Sequence, residues 1–246
     1  MRNAFITGTS SGLGYGLAAE LLNSAWTVYG CSRRDCDLQG IQHQNIDLTD
    51  YDTLPGKLSQ LLQSASSLDL VILNAGILGE IRDLHATPMH QVKDVMEINV
   101  WANKAVMDWL HQSGKEISQI VMISSGAAIL GNRGWSGYAL SKATLNMLAK
   151  LYAHEFPDTH ISALAPGIID TPMMDYLCEE ADATSFPALN RLREARGTEV
   201  MPAPRQAGSR VIQVLADLRE RPSGSFIDIR EMLEPEQYKQ LYRPRS

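Results

Sequence analysis

Three polar side chains in the second half of the sequence have the types and spacing needed to move a proton to an oxygen atom. Tyr138 and Lys142 are four residues apart, so on a helix they share one face. A neighbouring ammonium group stabilises a phenolate, and we expect Lys142 to lower the pKa of Tyr138 and improve it as a proton relay. Ser125 follows a short apolar segment, where a serine hydroxyl can hydrogen-bond and polarise a carbonyl oxygen.

A glycine-rich segment near the start of the chain is typical of phosphate binding. It reads Thr7-Gly8-Thr9-Ser10-Ser11-Gly12-Leu13-Gly14, after a predicted strand and before a predicted helix. Glycines let the backbone approach a pyrophosphate, and the helix then offers free N–H groups. A purely structural turn is the alternative, but the order of strand, turn and helix favours a nucleotide. The predicted contacts are Gly8, Ser10, Ser11, Gly12, Leu13 and Gly14.

The end of the second predicted strand indicates which nucleotide binds. Proteins that bind NAD place an acidic residue there for the ribose hydroxyls, whereas this chain reads Ser32-Arg33-Arg34. A guanidinium fork matches a 2′-phosphate, so the sequence predicts NADP(H). The alternative is a solvated pair of surface arginines. Asp47 and Leu48, after the third predicted strand, are placed to contact the adenine or to cap the next helix.

Short apolar segments alternate with helical patterns along the whole chain. This order predicts an α/β, doubly wound Rossmann fold with a seven-stranded, mostly parallel sheet and helices on both faces, in one domain spanning 1–246. The ligand crevice of such a fold lies outside the carboxyl ends of the strands. The predicted strands are 4–7, 26–31, 44–47, 68–73, 119–124, 160–164 and 225–229, and the predicted helices are 13–23, 51–64, 89–113, 136–156 and 205–219.

Composition excludes several classes of function. The net charge of −6 over 246 residues argues against nonspecific binding to nucleic acid or to an anionic membrane. No apolar stretch approaches the length of a membrane span, and no signal peptide is visible. The three cysteines show no disulfide or zinc spacing, and the histidines are scattered. We therefore expect a cytoplasmic protein without a metal.

Taken together, the motifs resemble the short-chain dehydrogenase/reductase family in its compact single-domain form, over essentially the whole chain. The short link between the second and third strands is closest to the sepiapterin-reductase-like and benzil-reductase-like branches. The motifs that carry the resemblance are Thr7-Gly8-x-x-x-Gly12-x-Gly14, Asn74-Ala75-Gly76, Asn99, Ser125, Tyr138-x-x-x-Lys142, and Pro166-Gly167 followed by Thr171.

The resemblance implies a catalytic tetrad of Asn99, Ser125, Tyr138 and Lys142. Tyr138 would be the general acid in carbonyl reduction, Ser125 rather than Ser124 would hold the carbonyl oxygen, and Asn99 would hold a water in a proton relay. Tyr138 and Lys142 would also bind the cofactor, Lys142 at the nicotinamide ribose. Asn74, Ala75 and Gly76 would line the adenosine side, and Pro166, Gly167, Ile169 and Thr171 would surround the nicotinamide. The family further implies a homo-oligomer, a dimer or a tetramer.

Substrate choice is predicted to reside in an irregular lid, residues 172–204. Apolar side chains alternate there with acids, which fits a small apolar or aromatic substrate better than a strongly anionic one. The leading interpretation is an NADPH-dependent reductase of a ketone or aldehyde. One alternative is a 3-oxoacyl-thioester reductase, which would need basic residues at the pocket mouth. Another is a non-catalytic NADP-sensing regulator, which would be expected to lack the tyrosine or the lysine. The apolar lid residues are Met173, Met174, Tyr176, Leu177, Phe186 and Leu189, and the acids are Asp175, Glu179, Glu180 and Asp182.

Overall fold

Seven parallel strands form the central sheet of the computed structural model, which describes residues 2–242. Their order across the sheet is β3-β2-β1-β5-β7-β8-β9, and two further short strands, β4 and β6, pair with each other. The strands are β1 (Asn3–Thr7), β2 (Thr27–Ser32), β3 (Gln42–Asn45), β4 (Ser67–Leu68), β5 (Leu70–Leu73), β6 (Glu116–Ile117), β7 (Gln119–Ile123), β8 (His160–Ala165) and β9 (Ser225–Asp228).

Helices follow most of the strands and cover both faces of the sheet. The long segment between β5 and β6 is interrupted by one turn of π-helix, Glu97–Trp101. The helices are α1 (Gly12–Asn23), α2 (Leu54–Leu61), α3 (Met89–Met96), α4 (Ala102–Gln112), α5 (Ala127–Leu130), α6 (Ser136–Glu155), α7 (Pro172–Asp175), α8 (Ala188–Ala195), α9 (Pro204–Leu218), α10 (Ile229–Leu233) and α11 (Pro235–Leu241).

Two apolar layers sandwich the sheet. Leu17 of α1 and Val211 of α9 pack with Ile72 on one face. Leu58 of α2, together with α4 and α6, packs against Phe5 on the other face. Every residue of β5 and β7 is buried, as expected for parallel strands covered on both sides. The predicted fold class, with its seven-stranded sheet, is therefore confirmed.

Several predicted elements differ in the structure. The helix expected over 89–113 is divided by the π-helical turn, and the third strand, expected over 44–47, lies at Gln42–Asn45. The single strand expected over 68–73 is divided at Asp69, whose carboxylate accepts the Asn3 N–H at 2.7 Å; β5 joins the main sheet, and β4 pairs with β6. The segment 172–204, expected to be irregular, contains α7, a π-helical turn at Tyr176–Glu180, and α8. The buried residues of α8 are Leu189, Leu192 and Ala195, and this three-residue spacing is typical of a helix with one apolar face.

The last two helices are tied to the end of the sheet by a buried carboxylate. Asp228, 1% exposed at the end of β9, accepts two hydrogen bonds from the Arg230 guanidinium, at 2.8 and 2.5 Å. The Tyr242 hydroxyl donates to the same carboxylate at 2.8 Å. This network fixes α10 and α11 beside the carboxyl edge of the sheet, where ligands bind in doubly wound folds.

Candidate active site

A cleft of about 820 Å³ runs along the carboxyl ends of the strands. We call the part lined by residues 8–76 the glycine-turn half, and the part lined by 127–135 and 173–241 the lid half; Ser125, Tyr138, Lys142 and 166–171 lie between them. The structure brings nearly all of the predicted site residues to this cleft. The exceptions are Gly14 and Asn99, which pack behind its wall.

The glycine-rich turn has a backbone geometry that only glycine can supply at two positions. Gly8 has a φ of +78°, a conformation that L side chains rarely adopt. At Gly14, a Cβ atom would lie 2.1 Å from the Gly8 carbonyl oxygen. Asn74, at the end of β5, holds the turn by donating to the carbonyl oxygens of Thr7 at 3.0 Å and Gly8 at 3.2 Å. The start of α1 is therefore held open to the cleft.

The first turn of α1 has the features of an anion site. It carries no acidic side chain, and the side chain of its N-cap residue, Ser11, does not cap the helix. The positive end of the helix dipole is thus available to a phosphate. Arg34 reaches this turn from the end of β2, and its guanidinium donates to the Ser11 hydroxyl at 3.3 Å. These residues fit a nucleotide carrying phosphates.

Groups around the ends of β2 and β3 form the far wall of the glycine-turn half. The Ser32 hydroxyl donates to the Arg34 carbonyl oxygen at 2.7 Å, which shapes the loop bearing Arg33 and Arg34. Asp47 accepts hydrogen bonds from the backbone and the hydroxyl of Thr49. These bonds, with the charge of Arg33, hold the pKa of Asp47 below its usual range. Asp47 and Leu48 both line the cleft.

Ser125 and Tyr138 meet at the middle of the cleft. Ser125 is the second residue after β7, and its hydroxyl is close enough to Tyr138 on α6 to affect the pKa of the phenol. Burial raises the pKa of Tyr138, and the hydrogen bond with Ser125 acts in the opposite direction. The neighbouring Ser124 is instead 2% exposed, and its hydroxyl donates to the side-chain oxygen of Asn146 at 2.5 Å. Only Ser125 therefore directs its hydroxyl to the tyrosine.

Lys142 lies near this pair, and its ammonium group is hydrogen-bonded to the backbone. Its ammonium group donates to the Ile123 carbonyl oxygen at 2.7 Å and lies 5.7 Å from the centre of the Tyr138 ring. Burial lowers the pKa of Lys142 to about 8. Burial is the largest effect on Tyr138 and raises its pKa above the usual value, and the lowering of that pKa by Lys142 stays a prediction.

Asn99 lies in the π-helical turn and is fully buried. Its side-chain oxygen accepts the Ile77 N–H at 2.8 Å, and its amide nitrogen donates to the Ile77 carbonyl oxygen at 2.8 Å and to Ser141 at 2.9 Å. Asn99 thus links the backbone of Ile77, the residue after Gly76, to Ser141 on α6, the helix that bears Tyr138. The backbone carbonyl oxygen of Asn99 accepts a hydrogen bond from the Asn103 side-chain amide. The expected role of Asn99 in holding a water for a proton relay stays a prediction.

Comparison with known proteins is consistent with this geometry. A family model for short chain dehydrogenases matches residues 2–182. A benzil reductase ((S)-benzoin forming) of Bacillus cereus is 30% identical over 255 residues, covering 94% of this chain and all of that protein. The chain belongs to the short-chain dehydrogenase/reductase family.

Two further relatives support membership in the family and its fold. A benzil reductase ((S)-benzoin forming) of Saccharomyces cerevisiae is 30% identical over 188 residues, covering 68% of this chain and 72% of that protein. A crystal structure of another short-chain dehydrogenase/reductase from Saccharomyces cerevisiae matches with a TM-score of 0.82 at 20% identity, over 95% of this chain and 98% of that chain. The resemblance to the family, including its benzil-reductase-like branch, is confirmed.

Family membership makes the chain an oxidoreductase that uses a nicotinamide nucleotide, and the benzil reductases support a carbonyl-reducing activity. Within residues 2–242, none of the helices combines the length and apolar character that a membrane crossing requires. The same residues contain no group of three or more metal-ligating side chains with suitable geometry.

Apolar side chains line much of the lid half of the cleft, and the acids of the lid lie outside it. Four of the predicted apolar residues, Met173, Met174, Tyr176 and Leu177, line the cleft, together with Trp135. Phe186 and Leu189 pack beneath them in the lid's own core. None of the lid acids lines the cleft. Arg196 pairs with Asp175 and Glu179 outside it, and Asp182 accepts the backbone N–H groups of Thr184 and Ser185.

Several residues that line the lid half were missed by sequence reasoning. Arg191, Arg230 and Leu241 come from α8, α10 and α11, and Asn132 comes from the loop before α6. They belong to no spaced motif, because each reaches the cleft through the packing of a separate element. The cluster of arginines in 191–196 was the one available signal, and the sequence gives no means of choosing among its members.

Proposed function

We propose that this protein is an NADPH-dependent reductase of a ketone or aldehyde carbonyl in a small substrate with an apolar or aromatic body. The observation that carries the proposal is the grouping of Ser125, Tyr138 and Lys142 in one cleft, with the Lys142 ammonium group 5.7 Å from the centre of the Tyr138 ring. A carbonyl oxygen placed beside both hydroxyls would accept two hydrogen bonds where negative charge develops during reduction.

Tyr138 is the proton donor in this proposal. Burial raises its pKa, so the phenol stays protonated near neutral pH and can donate its proton to the forming alkoxide. Ser125 orients the substrate oxygen by donating a hydrogen bond to it. Lys142 holds a positive charge within 5.7 Å of the phenol ring, which stabilises the phenolate left after proton transfer.

The glycine-turn half would hold the cofactor. When bound, the reduced nicotinamide nucleotide supplies the hydride. The free N–H groups of α1 would receive the phosphates, and Asn74, Ala75 and Gly76 would line the adenosine side. Pro166, Gly167, Ile169 and Thr171, after β8, would face the nicotinamide. Arg33 and Arg34 favour a 2′-phosphate, because a guanidinium fork matches phosphate geometry and no carboxylate occupies the end of β2.

The substrate's apolar body would lie against the lid, residues 172–204. Met173, Met174 and Leu177 supply adaptable apolar contacts there, with Trp135 opposite. Two relatives that cover most of this chain carry the name benzil reductase, which supports an aromatic diketone as a first substrate to test. Closure of such a segment would exclude water from the reaction.

The assembly and the location are also part of the proposal. Leu140, Met147 and Leu151 are each about half exposed and lie on one side of α6, which supports a homo-oligomer formed through this helix. Light scattering on the purified protein would measure the assembly, and a monomer at micromolar concentration would contradict it. The low use of cysteine supports a cytoplasmic location.

The test is oxidation of NADPH in the presence of benzil, a pterin ketone and an acetoacetyl thioester. We expect benzil to be reduced with the highest kcat/KM, and NADH to be a poorer cofactor than NADPH. Faster reduction of the thioester would favour the 3-oxoacyl-thioester alternative. Turnover of none of the three, with tight NADPH binding retained, would contradict carbonyl reduction and favour a nucleotide-sensing role.

A further inference from the structure

Residues 2–242 contribute positive charge and no carboxylate to the lid half of the cleft. Arg191 and Arg230 both line it. Among the described residues, Asp47 is the one carboxylate that lines the cleft at all, and it lies in the glycine-turn half. None of the lid acids lines the cleft, and two of them, Asp175 and Glu179, pair with Arg196 outside it.

Arg230 is already neutralised by the protein. Its guanidinium makes a two-bond pair with Asp228, which is 1% exposed, and Tyr242 donates to the same carboxylate. The Asp228 carboxylate also favours the charged form of Arg191, but its hydrogen bonds go to Arg230 and Tyr242. Arg191 is therefore the arginine in this part of the cleft without a hydrogen-bonded carboxylate from residues 2–242.

Arg191 differs from the other two arginines at this end of the lid. Arg193 donates to the Ala181 carbonyl oxygen at 2.7 Å, and Arg196 binds a cluster of carboxylates. Arg191 is an exposed residue that makes no hydrogen bond or ion pair with any residue from 2 to 242, although its helix is anchored by Leu189 and Leu192. Partial burial and the charge of Arg230 lower its pKa, and the charges of Asp228 and Tyr242 act in the opposite direction.

Arg191 lines the same cleft as Ser125 and Tyr138. A Cβ atom on Gly126, the residue after Ser125, would lie 3.4 Å from the Arg230 guanidinium. Arg191 is the neighbour whose charge Arg230 repels. A substrate whose carbonyl contacts Ser125 and whose apolar body lies on the lid would thus direct its far end toward Arg191.

We propose that Arg191 binds a carboxylate at the end of the substrate remote from the reacting carbonyl. The inference rests on the proposed carbonyl reduction and narrows its substrates to keto acids with an apolar or aromatic body. A guanidinium binds a carboxylate through two parallel hydrogen bonds, which would fix the orientation of the ketone as well as its affinity. Arg191 is then a specificity-determining residue, and its contribution should appear in KM.

A matched pair of substrates tests the inference: 4-carboxybenzil and its methyl ester, which share the diketone and differ in charge. We expect Arg191→Gln to lower kcat/KM for the acid about tenfold through KM, and to leave the ester unchanged. Arg191→Lys should retain part of the preference. Arg219→Gln, which removes a positive charge from the exposed end of α9, is the control and should change neither substrate.

The outcome that would overturn the inference is the same ratio of acid to ester in wild type and Arg191→Gln. Binding of 4-carboxybenzil, measured by calorimetry on protein saturated with NADP⁺, separates this failure from failure of the proposed reaction. If neither compound is reduced, yet Arg191→Gln weakens binding of the acid alone, carbonyl reduction is contradicted and the anion site stands. If 4-carboxybenzil binds wild type and Arg191→Gln with the same Kd, Arg191 does not bind the carboxylate, whatever the reductase activity.

Discussion

The glycine-turn half of the cleft depends on a particular backbone conformation, whereas the lid half depends on side chains from several packed helices. The first depends on the φ of Gly8 and on the contact between Gly14 and the Gly8 carbonyl, and Asn74 fixes both. The second depends on the packing of α8, α10 and α11. Backbone walls tolerate few substitutions but recognise a ligand common to many enzymes, and side-chain walls can vary with the substrate.

Tyr138→Phe should separate the two halves most sharply. We expect kcat/KM for the carbonyl substrate to fall about 10²- to 10⁴-fold, because the phenolic proton is lost. The Kd for NADPH, measured by fluorescence titration, should not change. Loss of NADPH binding in this variant would mean that the two halves are not separable, and unchanged turnover would remove Tyr138 as the general acid.

Gly14→Ala should damage the glycine-turn half through its backbone. The new Cβ would lie 2.1 Å from the Gly8 carbonyl oxygen, so the turn must shift. We expect the free energy of unfolding to fall by about 1–3 kcal/mol, the usual cost of overpacking, and the Kd for NADPH to rise.

Gly56→Ala is the matched control for Gly14→Ala. Gly56 lies in α2, and a Cβ there would meet nothing within 4 Å. The substitution should raise the free energy of unfolding by about 0.4–1 kcal/mol, because it restricts the unfolded chain. Denaturant unfolding measures both variants, and equal effects would refute the steric argument for the turn.

Arg34→Ala tests a part of the glycine-turn half that acts through a side chain. We expect KM for NADPH to rise about tenfold, since a hydrogen-bonded charge at the 2′-phosphate is removed, while KM for NADH stays the same. The control is Arg219→Ala, which removes an exposed charge outside the cleft. An equal rise in both KM values would show that Arg34 acts by supporting the turn through Ser11.

A pH profile should give the smallest effect, at the boundary between the halves. Burial lowers the pKa of Lys142 to about 8, so its ammonium group is present below that pH and is lost above it. The kcat/KM for NADPH, which reports groups of the free enzyme, should therefore fall to about half near pH 8 and continue to fall. A profile that stays flat to pH 9 would exclude this titration. In Lys142→Arg, which keeps its charge, the inflection should be absent.

The glycine-turn half could be predicted from the sequence because its requirements are local. The order of strand, glycines and helix near Gly8, and the spacing of Tyr138 and Lys142, are properties of short segments. The apolar segments of β5 and β7 likewise indicated a doubly covered sheet. Each of these features fixes a conformation without reference to distant parts of the chain.

The lid half could not be predicted in the same way. Arg191, Arg230 and Leu241 meet only because three helices pack together, and no spacing relates them. The acids near Arg196 illustrate the same problem. The sequence shows that the lid contains acids, but only the structure shows that Asp175 and Glu179 pair with Arg196 outside the cleft. The division of the strand at Asp69 also depends on a distant partner, the Asn3 N–H.

Because of the π-helical turn at Glu97–Trp101, the direction of the Asn99 side chain depends on the number of residues in this segment. A π-helical turn accommodates one residue more than the α-helix around it, and each residue of an α-helix rotates its neighbours by about 100°. Deleting one residue from 97–101 could therefore restore a regular helix and still turn the Asn99 amide away from Ile77. When relatives are aligned, a one-residue gap here would identify chains in which the backbone after Gly76 must be held by another group.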